Sequence, residues 1–69
     1  MLTERQEEII ETALELIDSD GIQGLTIKNL SKNIGISEPA IYRHFDSKIH
    51  ILNTIFEMLK KRIDIIFNL

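Results

Sequence analysis

Leu30-Ser31-Lys32-Asn33-Ile34-Gly35-Ile36-Ser37-Glu38-Pro39-Ala40-Ile41-Tyr42-Arg43-His44-Phe45 decides the fold. Gly35 sits where a left-handed residue closes a helix. Two residues on, Ser37 is a helix N-cap, and Glu38 and Pro39 fill a first turn that suits a carboxylate and a missing N–H. The first helix of the pair is predicted over about Ile27 to Ile34, capped by Thr26; the second ends near Phe45. Leu30 and Ile34 then face inward from the first, with Ser31 a small residue where the two cross. Ile36 plugs the turn, Ile41 anchors the second helix, and Phe45 lies beyond it on the same inward side. Two short helices held this way form a helix-turn-helix, here about residues 26–45. One helix can cross a DNA backbone while the other enters the major groove. The outward positions Ser37 to Ala40 and Tyr42 to His44 make a polar, small and aromatic surface that solubility alone does not explain.

The flanking segments also have helical periods. From Thr3 to Asp20, Ile9, Ile10, Ala13, Leu14, Leu16 and Ile17 recur at helical spacing between glutamates. Thr3 with Gln6 can close a capping box, and Gly21 stops the helix. Asp46 or Ser47 opens a last helix, along which Leu52, Ile55, Phe56, Leu59, Ile63, Ile66 and Phe67 follow at threes and fours. The pair Ile22-Gln23 is too short for a strand, and the β-branched isoleucines sit in helical phase. The expected fold is all-α: a three-helix helix-turn-helix domain plus a long fourth helix.

The chain has 69 residues, no cysteine and 43% hydrophobic residues. That excludes a disordered chain, a disulfide scaffold and a cysteine-ligated zinc module. One small domain is the limit at this length. An enzyme is not expected: there is no nucleophile–base pair, no Gly-rich phosphate loop and little chain to wall a pocket. His44, Asp46 and His50 do not have the spacing of a metal site, and no cofactor is implied. The segments lack a membrane span and a secretory signal, so a cytoplasmic location is expected.

The formal net charge of −3 argues at first against nucleic acid. Its distribution removes the objection. Residues 1–20 hold seven acids and one base, whereas residues 21–50 hold four bases and two acids. Residues 51–69 hold three bases and two acids. The helix-turn-helix is mildly positive, which predicts poor non-specific binding and leaves discrimination to a few placed residues. The run Lys60-Lys61-Arg62 complements the C-terminal dipole of its own helix.

Gly21 to Ile27, Leu30, Gly35-Ile36-Ser37, and Ile41-Tyr42-Arg43-His44-Phe45-Asp46-Ser47-Lys48 with Leu52 resemble the N-terminal DNA-binding domain of the TetR/AcrR family of transcriptional regulators. The resemblance covers almost the whole chain. It departs from the usual pattern at Pro39-Ala40, where many members carry Gly followed by Ser or Thr. It implies a DNA-binding unit over residues 1–50. It also implies that residues 51–69 lead into a C-terminal ligand-binding and dimerisation domain absent from this chain. The apolar end, Ile63, Ile65, Ile66, Phe67 and Leu69, fits a piece of a longer protein; the other reading is a minimal protein that pairs through this end.

Nine residues are candidates for DNA contact. Thr26 at a helix N-terminus can hold a phosphate oxygen while capping its helix. Lys28, just inside that helix, can reach a base edge or a phosphate, or stand in solvent. Ser37, Pro39 and Ala40 begin the recognition helix, where small apolar groups suit thymine methyls and the serine suits phosphate. Their plainer role is ordinary capping, as dipole complement is for Glu38. Tyr42 can pack on a thymine methyl and donate its hydroxyl to phosphate, and the matching tyrosine of the family makes backbone contact. Arg43 can read guanine O6 and N7 or hold a phosphate. His44 resembles the family's phosphate-contacting histidine, and Lys48 is aimed by resemblance at the backbone. The function implied is a sequence-specific DNA-binding domain of a ligand-responsive regulator, most often a repressor. Its partners would be a palindromic operator, a second copy in the full-length parent, and a small-molecule inducer acting through the absent domain. A helical protein-interaction module using the apolar face of the fourth helix is the alternative.

Overall fold

A computed structural model describes residues 1–68; the expectation for Leu69 lies outside them. Its order is α1 (Glu4–Asp20), a single 3-10 turn (Ile22–Gly24), α2 (Ile27–Ile34), α3 (Glu38–Tyr42) and α4 (Lys48–Phe67). No strand occurs among the described residues.

Every helix opens on a hydroxyl side chain. Thr3 and Gln6 close the expected capping box on α1: Gln6 N–H donates to Thr3 Oγ1 at 3.1 Å, and Thr3 N–H to Gln6 Oε1 at 3.0 Å. Thr26, Ser37 and Ser47 cap α2, α3 and α4. Between Asp46 and Ser47, then, Ser47 is the cap. Gly35 ends α2 with φ 85° and ψ 31°, in the left-handed region. The N–H groups of Gly35 and Ile36 both donate to Ser31 C=O, at 2.9 and 3.1 Å. This pair of hydrogen bonds to one carbonyl turns the chain sharply and aims α3 away from α2.

The core gathers one layer from each element. Ile9, Ile10, Ala13 and Leu16 come from α1, Leu25 from the segment before α2, and Leu30 from α2. Ile41 and Phe45 come from α3 and the turn after it, and Ile51 and Ile55 from α4. Ile34 and Ile36 pack at the margin, as their predicted places at the turn require. A helix of five residues cannot hold itself together in water. Burial of Ile41 and Phe45 is what fixes α3.

One expectation needs correction, and two apolar patterns are resolved into buried and exposed members. α3 stops at Tyr42, short of Phe45, because the N–H groups of His44 and Phe45 both turn onto Ile41 C=O at 2.9 and 3.0 Å. Leu14 is 43% exposed and lies on the flank of α1 rather than in the core. On α4 the buried residues are Ile51 and Ile55, while Phe56, Leu59, Ile63, Ile66 and Phe67 stand exposed and Leu52 is half-buried. The predicted stripe meets the core at Ile55 and at the half-buried Leu52, and the rest of it stands exposed.

Candidate nucleic-acid interface

The site is built from three helix starts and one turn. Thr26 is half-buried, and its Oγ1 accepts the N–H of Asn29 at 3.0 Å. Asn29 Nδ2 donates back to Gly24 C=O at 2.9 Å, which ties the start of α2 to the preceding 3-10 turn. An N-cap hydroxyl that accepts a backbone proton keeps its own proton free to donate outward. Capping and phosphate contact are therefore compatible at Thr26. Lys28 projects into solvent two residues later.

Ser37 Oγ accepts the N–H of Ala40 at 3.3 Å and begins α3 in the same way. Ser37 and Pro39 are exposed, and Ala40 is half-buried. Pro39 shares a helix face with Tyr42 and Arg43, three and four residues on. Tyr42 is 49% exposed, which excludes a core role for its ring. Arg43 is exposed, and its N–H closes the helix on Pro39 C=O at 3.2 Å. His44 is half-buried; the Gln6 amide of α1 makes a long 3.5 Å bond to its carbonyl. Lys48 is the first residue of α4, exposed, and directly follows the cap Ser47.

Charge separates along the same lines. Among the described residues the ion pairs within 4 Å are Arg5–Glu8 on α1 at 2.8 Å and His50–Asp46 at 3.8 Å. Lys28, Arg43 and Lys48 thus have no carboxylate at that distance. They stand on the α2, α3 and α4 side, whereas seven acids belong to the segment ending at Asp20. The chemistry offered is that of an anion-binding surface: uncompensated cations, capped helix N-termini and a hydroxyl-bearing aromatic.

So the structure gathers Ser37, Pro39, Ala40, Tyr42, Arg43 and His44 onto one short helix and its exit. Thr26, Lys28 and Lys48 sit at the starts of the helices on either side. Two supporting residues escaped the sequence reading. Gln6 was visible only as a capping-box member, yet it also reaches the exit of α3. His50 stands at the third position after the cap Ser47, a spacing that is a usable signal. Among the described residues no helix is long and apolar enough to cross a membrane.

The model for bacterial regulatory proteins of the tetR family matches residues 9–55. The nucleoid occlusion factor SlmA of Pectobacterium carotovorum is 36% identical over 66 residues, covering 94% of this chain and 33% of that protein. The class C tetracycline repressor protein of Escherichia coli is 38% identical over 55 residues, covering 80% of this chain and 25% of that protein. The chain thus spans about a quarter to a third of the length of these relatives. No solved structure matches it at a significant level. The matched segment contains the whole helix-turn-helix, with its Gly35 turn and its exposed Tyr42-Arg43 pair. The chain belongs to the TetR family of bacterial regulatory proteins, and it carries that family's DNA-binding helix-turn-helix domain.

Proposed function

We propose that the chain is the reading head of a ligand-responsive repressor, working in the cytoplasm on a palindromic operator. The observation that carries this is the exposure of Tyr42 and Arg43 at the end of α3 while Ile41, just before them, is buried. α3 enters the major groove, with Pro39 and Ala40 against thymine methyls, Ser37 on a phosphate, and Arg43 on a guanine edge or a phosphate. Thr26, Tyr42, His44 and Lys48 hold phosphates on either side and set the register, and Lys28 reaches a base edge or a further phosphate. Two copies bind two half-sites, joined by a C-terminal domain into which α4 leads. A ligand in that domain changes the separation of the heads and releases DNA. That one relative is a tetracycline repressor supports the repressor and ligand roles.

The apolar residues of α4 that the core leaves exposed or half-exposed support the further domain. Leu52, Phe56, Leu59, Ile63 and Ile66 keep a strict alternation of fours and threes, the spacing of a helix seam that packs on another helix. The same seam favours the second reading, a helical interaction module. Arg43→Glu separates them, because charge reversal in the groove abolishes DNA binding and leaves a partner of α4 untouched.

Titration of labelled duplex at two salt concentrations tests the first reading. With Lys28, Arg43 and Lys48 each neutralising one phosphate, affinity falls by about 40-fold between 50 and 200 mM salt. Binding that ignores salt, or no binding at low salt to duplexes selected from a random pool, counts against it.

A further inference from the structure

The turn from α3 to α4 is held by one imidazole ring. His50 N–H donates to the cap Ser47 Oγ at 3.2 Å. In return His50 Nδ1 accepts the backbone N–H of Asp46 at 3.0 Å. A capping box places Glu or Gln at this third position, reaching back to the cap's own N–H. Here a histidine does the work and reaches one residue further. The same ring stands edge-on to buried Phe45, with centroids 5.1 Å apart and planes at 71°. One side chain therefore fixes residues 45 and 46, immediately after His44 and just before Lys48. A nitrogen that accepts carries no proton, so the ring is neutral with its hydrogen on Nε2. We propose that neutral His50 is the positioning residue of the phosphate-binding turn at residues 43–48, and that its protonation releases that turn. The proposal rests on the DNA-binding reading above.

Histidine gains its proton between about pH 8 and 5. A proton on Nδ1 sets donor against donor at the Asp46 N–H. Positive charge at the start of a helix also opposes the helix dipole. The charged group within 4 Å of the ring is the Asp46 carboxylate, 3.8 Å from Nδ1. It draws the protonated ring off the amide, yet it is itself 95% exposed and holds weakly. Arg43 and Lys48 are the other charged groups of the same turn. From α1, the side chain bonded to this turn is the uncharged Gln6.

The test uses the 69-residue chain, His50→Gln and His50→Ala. Long-range nitrogen–proton correlation spectra of the free chain at pH 7.5 should show His50 with its hydrogen on Nε2. The Asp46 amide signal should move as His50 titrates. Affinities for one selected duplex are then measured at pH 7.5 and 5.5. At the higher pH, Gln, which keeps an acceptor, binds within about two-fold of wild type, while Ala binds about five-fold more weakly, the worth of one hydrogen bond. On going to pH 5.5 the wild type loses about five-fold relative to the Gln variant. His44 is present in both proteins and cancels from that comparison. Hydrogen on Nδ1, undiminished binding by Ala, or parallel pH profiles for wild type and Gln overturns the positioning role alone. A wild type that binds no duplex overturns the DNA reading, and the positioning role with it.

Discussion

Gly35→Ala is expected to destabilise the domain by about 1 kcal/mol without disturbing what the domain recognises. Gly35 sits at φ 85° and ψ 31°, where a Cβ crowds its own carbonyl. A Cβ built there meets no other heavy atom within 4 Å. The cost is therefore conformational and not a clash. An L residue in this region costs about 1–2 kcal/mol, and the stiffer unfolded chain returns part of it. In a domain of this size that lowers Tm by about 4–8 °C. Gly35→Asn should fall between the two, since asparagine tolerates the left-handed region. Thermal and urea unfolding followed by circular dichroism give the stabilities, with m unchanged across the series. A duplex titration well below each Tm gives the affinity, which should match wild type because the new methyl touches nothing. An Ala variant as stable as wild type would sink the reasoning, as it would mean residue 35 need not be left-handed. A loss above about 3 kcal/mol would sink it too, because some unseen contact would then be failing.

Tyr42→Phe should leave stability within about 0.5 kcal/mol, since the ring is half exposed. The same change should weaken duplex binding at least ten-fold if its hydroxyl donates to a phosphate, a bond to a charged group being worth about 1.5–3 kcal/mol; equal binding by calorimetry refutes that contact. Ile41→Ala should cost about 2–5 kcal/mol in urea unfolding, because Ile41 is fully buried and is the main anchor of α3. On α4, Ile55→Ala should cost several times more stability than Phe56→Ala, the one 7% exposed and the other 62%. Equal losses would show that α4 is turned the other way.

The helices were legible because their ends are written in local chemistry. Thr3, Thr26, Ser37 and Ser47 need only the backbone N–H groups three residues on, and Gly35 needs only its own φ. The face of α4 was not legible for a physical reason. Ile51 and Ile55 form one apolar row, and Leu52, Phe56 and Leu59 form a second beside it. Periodicity finds both rows, but only the docking of α4 on α1 chooses between them. There Ile10 and Leu14 border a groove of about 80 Å³ with Ile55, Met58, Leu59 and Arg62. Leu25 was missed as core because it belongs to no helix, so no period marks it. The outward side of α3 was legible, because buried Ile41 and Phe45 define the opposite side. The bond from Gln6 to the exit of α3 depends on tertiary placement, which spacing does not fix, whereas the bond of His50 to Asp46 is local and its spacing was there to be read.

The shortness of α3 has a consequence for how such a molecule diversifies. Its five residues bury a single large side chain, Ile41. Stability is stored in α1, α2 and the base of α4, while Pro39, Tyr42 and Arg43 face outward and bear little of the core. On the proposed reading, substitutions at these outward positions rewrite what is read without unfolding the reader. The buried and the outward residues of one helical turn and a half are then different ones, so folding and the proposed recognition are each free to change at their own rate.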